Sequence, residues 1–150
     1  MASTEERSVL VTYRHPDEPV QNLDMFARAW DECTELQVTP KGEWIGRALL
    51  SLQELGRYEI GVRQGTTVIG GLVLADDPWD VHVGPCMSVF AQYVLPEYRL
   101  QGVSVMLMRA ALSVSRDAGA PVLAFTHRAG PWVYRTVYHK LQNKVKNETT

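Results

Sequence analysis

Hydrophobic and polar positions change period several times along the chain. Residues 8–15, SVLVTYRH, have the β-branched and aromatic content of a strand, and the cluster Pro16–Asp17–Glu18–Pro19 ends it. From Asn22, a residue type suited to capping a helix, Leu23, Phe26, Trp30 and Cys33 recur at helical spacing. Thr39–Pro40–Lys41–Gly42 interrupts the pattern. Ile45, Leu49, Leu52 and Leu55 then mark a second amphipathic helix, with Gly56 as its stop. Tyr58, Ile60 and Val62 alternate with Arg57, Glu59 and Arg63, the period of a strand with one wet face. A turn at Gln64–Gly65–Thr66–Thr67 leads into a more buried returning strand over residues 68–75.

Asp76–Asp77–Pro78 closes that hairpin, and a long strand follows over residues 81–95, bent at Gly84–Pro85. Val103, Met106, Leu107, Ala110, Ala111 and Val114 form the apolar stripe of a helix over residues 103–118, which Gly119 ends. PVLAFTH, residues 121–127, is an apolar strand. Residues 131–141 predict a last helix with proline in its first turn. The order is β-α-α-β-β-β-α-β-α: an α/β protein with a mixed sheet and helices on both faces. The strand–helix–strand unit over residues 81–127 predicts a right-handed parallel crossover, and the hairpin before it an antiparallel pair.

Composition narrows the reading. A chain of 150 residues fits one domain over residues 1–150 and is long enough to bury a core. A formal charge of −2 argues against a nucleic-acid binder, which needs a concentrated basic face. The start, MASTEERS, has no apolar segment of the kind that signals secretion, and no stretch approaches the roughly 18 apolar residues of a membrane span. Cys33 and Cys86 lack metal-ligand spacing, so no metal is expected, and a reduced, cytoplasmic protein is the default. Residues 1–8 and 143–150 are expected to be flexible.

The candidate chemistry lies in YVLPEYRLQGVSVMLM, where a strand meets a proline, a polar turn with one glycine, and a helix. The first turn of a helix carries N–H groups without intrahelical partners and the positive end of the helix dipole. Glycine lets a bulky group approach the backbone, so such a junction can seat a phosphate or pyrophosphate without a metal. The plainer alternative is that Gly102 only eases a turn and Arg99 only solvates it.

The order of elements and this junction together resemble the general N-acetyltransferase (GNAT) superfamily, whose members transfer acetyl from acetyl-CoA to an amine. The resemblance covers about residues 57–141. It rests on Val94–Leu95–Pro96 followed by Arg99–Leu100–Gln101–Gly102–Val103–Ser104 opening a helix. It implies that the backbone of Gln92, Tyr93 and Val94 binds the pantetheine arm of acetyl-CoA. The N–H groups from Leu100 to Ser104 would hold the pyrophosphate, with Arg99 and Gln101 adding charge or donors at the rim. Because the contacts are main-chain, the side chains of Leu100 and Val103 are free to vary. The implied chemistry is direct attack of a neutral amine on the thioester, with a strand N–H stabilising the oxyanion. Tyr138, in Tyr138–His139–Lys140–Leu141, matches by position the family's general acid. His127 stands where members often carry a basic glutamate.

Three features depart from the pattern. Ser104 replaces a second glycine or alanine, Pro131 replaces an asparagine that binds the coenzyme, and only QNKVKNETT follows where members add two strands. The C-terminal strands are therefore expected to be shortened or missing. That leaves an open acceptor side, a side completed by a homo-oligomer or assembly partner, or a fold that has lost transfer. The acceptor implied is an amine on a small molecule or a protein. The competing readings are a non-catalytic structural protein, as in shortened virion-type acetyltransferase-like proteins of tailed phages, and a CoA-binding regulator.

Overall fold

A computed structural model describes residues 6–141. Its six strands are β1 (Arg7–Arg14), β2 (Arg57–Gln64), β3 (Thr67–Asp80), β4 (Gly84–Val94), β5 (Val122–Gly130) and β6 (Val133–Lys140). They form one sheet in chain order, antiparallel at every junction except the parallel β4–β5 pair. Helices α1 (Leu23–Ala27), α2 (Ala29–Glu32) and α3 (Lys41–Gln53) precede β2, and α4 (Val103–Asp117) makes the crossover from β4 to β5. Short 3-10 turns lie at Leu36–Val38 and Pro96–Tyr98. Among the described residues no helix is long and apolar enough to cross a membrane.

Strand alternation separates two cores. Ile60, Val62, Leu72, Leu74, Val89 and Leu123 face Val103 and Leu107 of α4. Val73 faces the other way, into a smaller cluster with Val20, Leu52, Phe26 and Ala91. Two adjacent glycines let both layers approach. A Cβ on Gly70 would stand 2.7 Å from Val103 Cγ1, and one on Gly71 would stand 2.7 Å from Met25 Cε. In β4, Val89 pairs with Leu74 and Ala91 with Val73, so Phe90 is a bulge with no residue opposite. Such a bulge bends and twists its strand.

Several expectations need correction. Asp76–Asp77–Pro78 does not close the hairpin: β3 runs on to Asp80, which pairs with Gly84. The last helix is a strand: residues 133–140 form β6, antiparallel to β5 from Gly130↔Val133 to Val122↔Lys140. Tyr134, Val137, Tyr138 and Leu141 fit helical spacing. However, Val133, Thr136 and Val137 are β-branched, and the unpaired edge of β5 demanded hydrogen-bond partners. Trp132, at φ 65°, turns the hairpin. The expected loss of C-terminal strands therefore holds only in part, since one such strand exists, built from residues read as helix.

The helix expected from Asn22 to Cys33 is broken into α1 and α2, and Asn22 makes no side-chain cap but sits at φ 56°. Arg57 and Glu59 are not on a wet face: they are 0% and 7% exposed, joined at 2.7 Å. Arg57 also donates to the carbonyls of Glu18 and Leu55, and Glu59 accepts from the Gln21 N–H, so the pair ties the α1 and α3 connections to the sheet. Finally, Arg7 and Ser8 belong to β1. The remaining residues expected to be flexible at either end lie outside the described residues, apart from Glu6, which precedes β1.

Candidate active site

β4 and β5 pair only from Met87↔Leu123 to Val89↔Phe125. Beyond that point they diverge, and the gap continues into a cavity of about 730 Å³ that reaches beneath α1 and α3. Residues 89–94 of β4 and 125–128 of β5 line it, with Arg99 and Ser104 at the α4 end. The Leu95 N–H bonds to Ile69 O at 3.0 Å, so Tyr93, two residues earlier, turns its own N–H and C=O toward Gly71 of β3. The antiparallel alternation then leaves the polar backbone edges of Gln92 and Val94 facing the gap. Of these, Val94 O accepts a hydrogen bond from Arg99 Nε at 3.0 Å.

At the mouth of the gap the turn into α4 is wound unusually. Leu100 at φ 63° and Gly102 at φ 85° both occupy the left-handed region, and the Leu100 side chain is fully exposed. None of the N–H groups from Leu100 to Ser104 donates to an acceptor among the described residues. A Cβ on Gly102 would meet nothing within 4 Å. Among the described residues this junction is a run of amides without acceptors at the positive end of a 15-residue helix, the arrangement that binds phosphate oxygens.

The side chains around the turn are occupied differently from the rim donors expected. Gln101 braces the loop: its Nε2 donates to Glu97 O at 2.9 Å, and its Oε1 and backbone oxygen accept from Arg7 at 2.9 and 2.7 Å. Arg99 lies over the Tyr93 ring, 5.2 Å from its centroid, and pairs with Glu32 at 2.7 Å. Arg7 thereby brings a cation from β1 to the anion seat.

The segment from Glu32 to Glu35 holds both sides of the gap. On the β4 side Glu32 accepts from Arg99 and the Tyr93 hydroxyl. Burial works against its charge, but these hydrogen bonds prevail and lower its pKa. On the β5–β6 side Glu35 accepts from Arg128 Nε at 2.5 Å and from the Tyr134 hydroxyl at 2.6 Å. Those bonds, Arg128 first, hold its carboxyl at about 2. Burial, followed by the carboxylate each faces, pushes Tyr93 and Tyr134 up to about 12. Both phenols therefore stay protonated at neutral pH.

Of the expected catalytic pair, His127 lines the gap, its ring edge-on to Phe125 at 5.7 Å. Tyr138 does not line it. It sits opposite Ala124, before the strands part, with its hydroxyl 3.2 Å from each Asp80 carboxylate oxygen. Tyr134 is the β6 tyrosine on the cavity wall.

A family model for the acetyltransferase (GNAT) family matches residues 13–131. The chain belongs to the GNAT family. Solved structures that share its fold include three acetyltransferases. An aminoglycoside 6'-N-acetyltransferase from Acinetobacter haemolyticus is 16% identical, with 80% of this chain and 79% of that one covered and a TM-score of 0.56. A ribosomal-protein-alanine N-acetyltransferase from Brucella melitensis biovar Abortus 2308 is 16% identical, with 83% of each chain covered and a TM-score of 0.55. A GNAT family acetyltransferase from Brucella melitensis, in complex with acetyl-CoA, is 12% identical, with 91% and 92% covered and a TM-score of 0.54. Among curated proteins none matches the chain.

Reading the sequence of this GNAT member missed Arg7, Glu32, Glu35, Arg128 and Tyr134. Glu35 and Tyr134 are 99 positions apart, and nothing local marks either. The one available signal was Glu32 and Glu35 at i, i+3 in the polar stretch Asp31–Glu32–Cys33–Thr34–Glu35, which resembles a solvated helix face.

Proposed function

We propose that this GNAT protein binds acetyl-CoA in the gap between β4 and β5 and transfers its acetyl group directly to a primary amine. One observation carries the reading: the amides from Leu100 to Ser104, without acceptors among the described residues, stand at the mouth of a gap where β4 no longer pairs with β5. The residues present fit the cofactor. The amides around Gly102, with the Arg7 guanidinium nearby, suit a pyrophosphate, and the backbone of Gln92 suits an extended amide-bearing arm. When bound, acetyl-CoA supplies the acetyl group already activated as a thioester.

The protein contributes mostly position. His127 at the gap is the group proposed to accept the amine proton, directly or through water, since a neutral imidazole carries a ring nitrogen lone pair that can take it. Tyr93 and Tyr134 keep their protons and anchor Glu32 and Glu35, which fix the two lips. The proton-donor role expected of Tyr138 finds no support in its contact with Asp80. The position of Tyr138, against Asp80 rather than on the cavity wall, favours one second reading, a protein that binds CoA without transfer.

Two measurements on the purified chain separate these readings. Acetyl-CoA at millimolar concentration raises the thermal midpoint by several degrees if binding is micromolar. Thiol release from acetyl-CoA then depends on added amine, and His127→Gln lowers its maximal rate at least tenfold with acetyl-CoA affinity unchanged, while Tyr138→Phe leaves the rate as it was. A midpoint shift without amine-dependent thiol release selects the regulator, and no shift at all rejects both.

A further inference from the structure

The cavity beyond the gap carries information about the acceptor. It is lined by Phe26, Leu36, Trp44, Ile45, Ala48 and Phe90 among others, and no aspartate or glutamate lines it among the described residues. The charged side chains on its wall are Arg99 and Arg128, with the titratable His127 beside them. Each arginine is already paired, Arg99 with Glu32 at 2.7 Å and Arg128 with Glu35 at 2.5 Å. Polar recognition of a multiply charged acceptor needs free carboxylates facing the ligand, because each buried ammonium must recover its lost hydration. This wall offers none. It offers apolar surface, in a volume suited to a small molecule and continuous with the edge of β4.

We propose that the acceptor is a small primary amine with an apolar tail, the tail seated beneath α1 and α3 and the amino group at the parting of β4 and β5. This rests on the acetyl-transfer reading above and adds the substrate class to it. The environment also favours the reactive form, since an apolar wall disfavours an ammonium ion relative to the neutral amine. In the step itself the amine nitrogen forms a bond to the acetyl carbon as the carbon–sulfur bond breaks. The surplus proton on nitrogen passes through His127 or water to the departing sulfur, leaving an N-acetyl amide and a free thiol.

The test is thiol release from acetyl-CoA with straight-chain primary amines from propylamine to octylamine, beside spermidine and kanamycin. Each methylene that enters the cavity is expected to lower KM roughly threefold to fourfold until the cavity is full, with spermidine and kanamycin turned over at least 100-fold less efficiently than hexylamine. Ala48→Phe, which fills the cavity without touching the anion seat, is expected to flatten the chain-length series and leave acetyl-CoA affinity unchanged. The wild-type series stands as the test even where that variant fails to fold. Turnover of spermidine or kanamycin with no dependence on alkyl length overturns the substrate class and leaves the transfer reading intact. So does a preference for hexanoyl-CoA over acetyl-CoA with no dependence on the amine, which would give the cavity to the acyl chain. Loss of acetyl-CoA binding and of all thiol release would remove the transfer reading and this inference together.

Discussion

Replacing Gly102 by aspartate tests the anion seat by charge rather than by bulk. A Cβ at this position meets nothing within 4 Å, so the variant should fold. Its backbone, at φ 85°, lies where a residue with a side chain costs about 1 kcal/mol, and Asp and Asn bear that cost better than most. The electrostatic effect is larger. Two unit negative charges about 5 Å apart at an effective dielectric of about 20 repel by about 3 kcal/mol. Physiological salt, with a Debye length of about 8 Å, removes part of this. The expected loss of acetyl-CoA affinity is roughly 30- to 100-fold, about 2 to 2.7 kcal/mol. Gly102→Asn has nearly the same shape and backbone cost but no charge, so the ratio between the two variants isolates the electrostatic part. Titration calorimetry at low and high salt reads it directly, and the ratio should shrink as salt rises. Equal affinities for the two folded variants would refute an anion seat at this turn.

Two further outcomes concern what holds the site. Arg57→Ala leaves Glu59 buried without its partner and should cost about 3 to 5 kcal/mol of unfolding free energy in a urea titration, whereas Arg57→Met combined with Glu59→Leu should recover most of that loss. A double variant no more stable than Arg57→Ala alone would show that packing, not an orphaned charge, sets the cost. Glu35 gives the pH dependence: its pKa is depressed in the folded protein from 4.5 to about 2, so its contribution is present above the unfolded value and is lost as pH falls through this window. The wild-type thermal midpoint should therefore fall more steeply below pH 4.5 than that of Glu35→Gln, and parallel curves would count against the Arg128–Glu35 clamp.

Local pattern carried much of this protein. The alternation in β2, the apolar stripe of α4 and the glycine-opened turn before it are short-range features, set by side-chain period and by the conformations glycine allows, and each was legible residue by residue. The glycine at residue 102 needed no partner to be recognised, since its use depends on its own backbone. Tertiary structure decided what depends on neighbours. Residues 131–141 read as a helix from their spacing alone, but the open edge of β5 selected a strand over residues 133–140, which took Tyr138 off the helix expected to carry it. Arg57 and Glu59 looked like a wet face because alternation reports which residues share a side, not whether that side meets water; the segments before α1 and after α3 covered them. Glu32, Glu35, Arg128 and Tyr134 became a site only when elements 61 to 99 residues apart came into contact. Spacing along a chain encodes periodicity, whereas a clamp between distant carboxylates and guanidinium groups is encoded in the fold's closure.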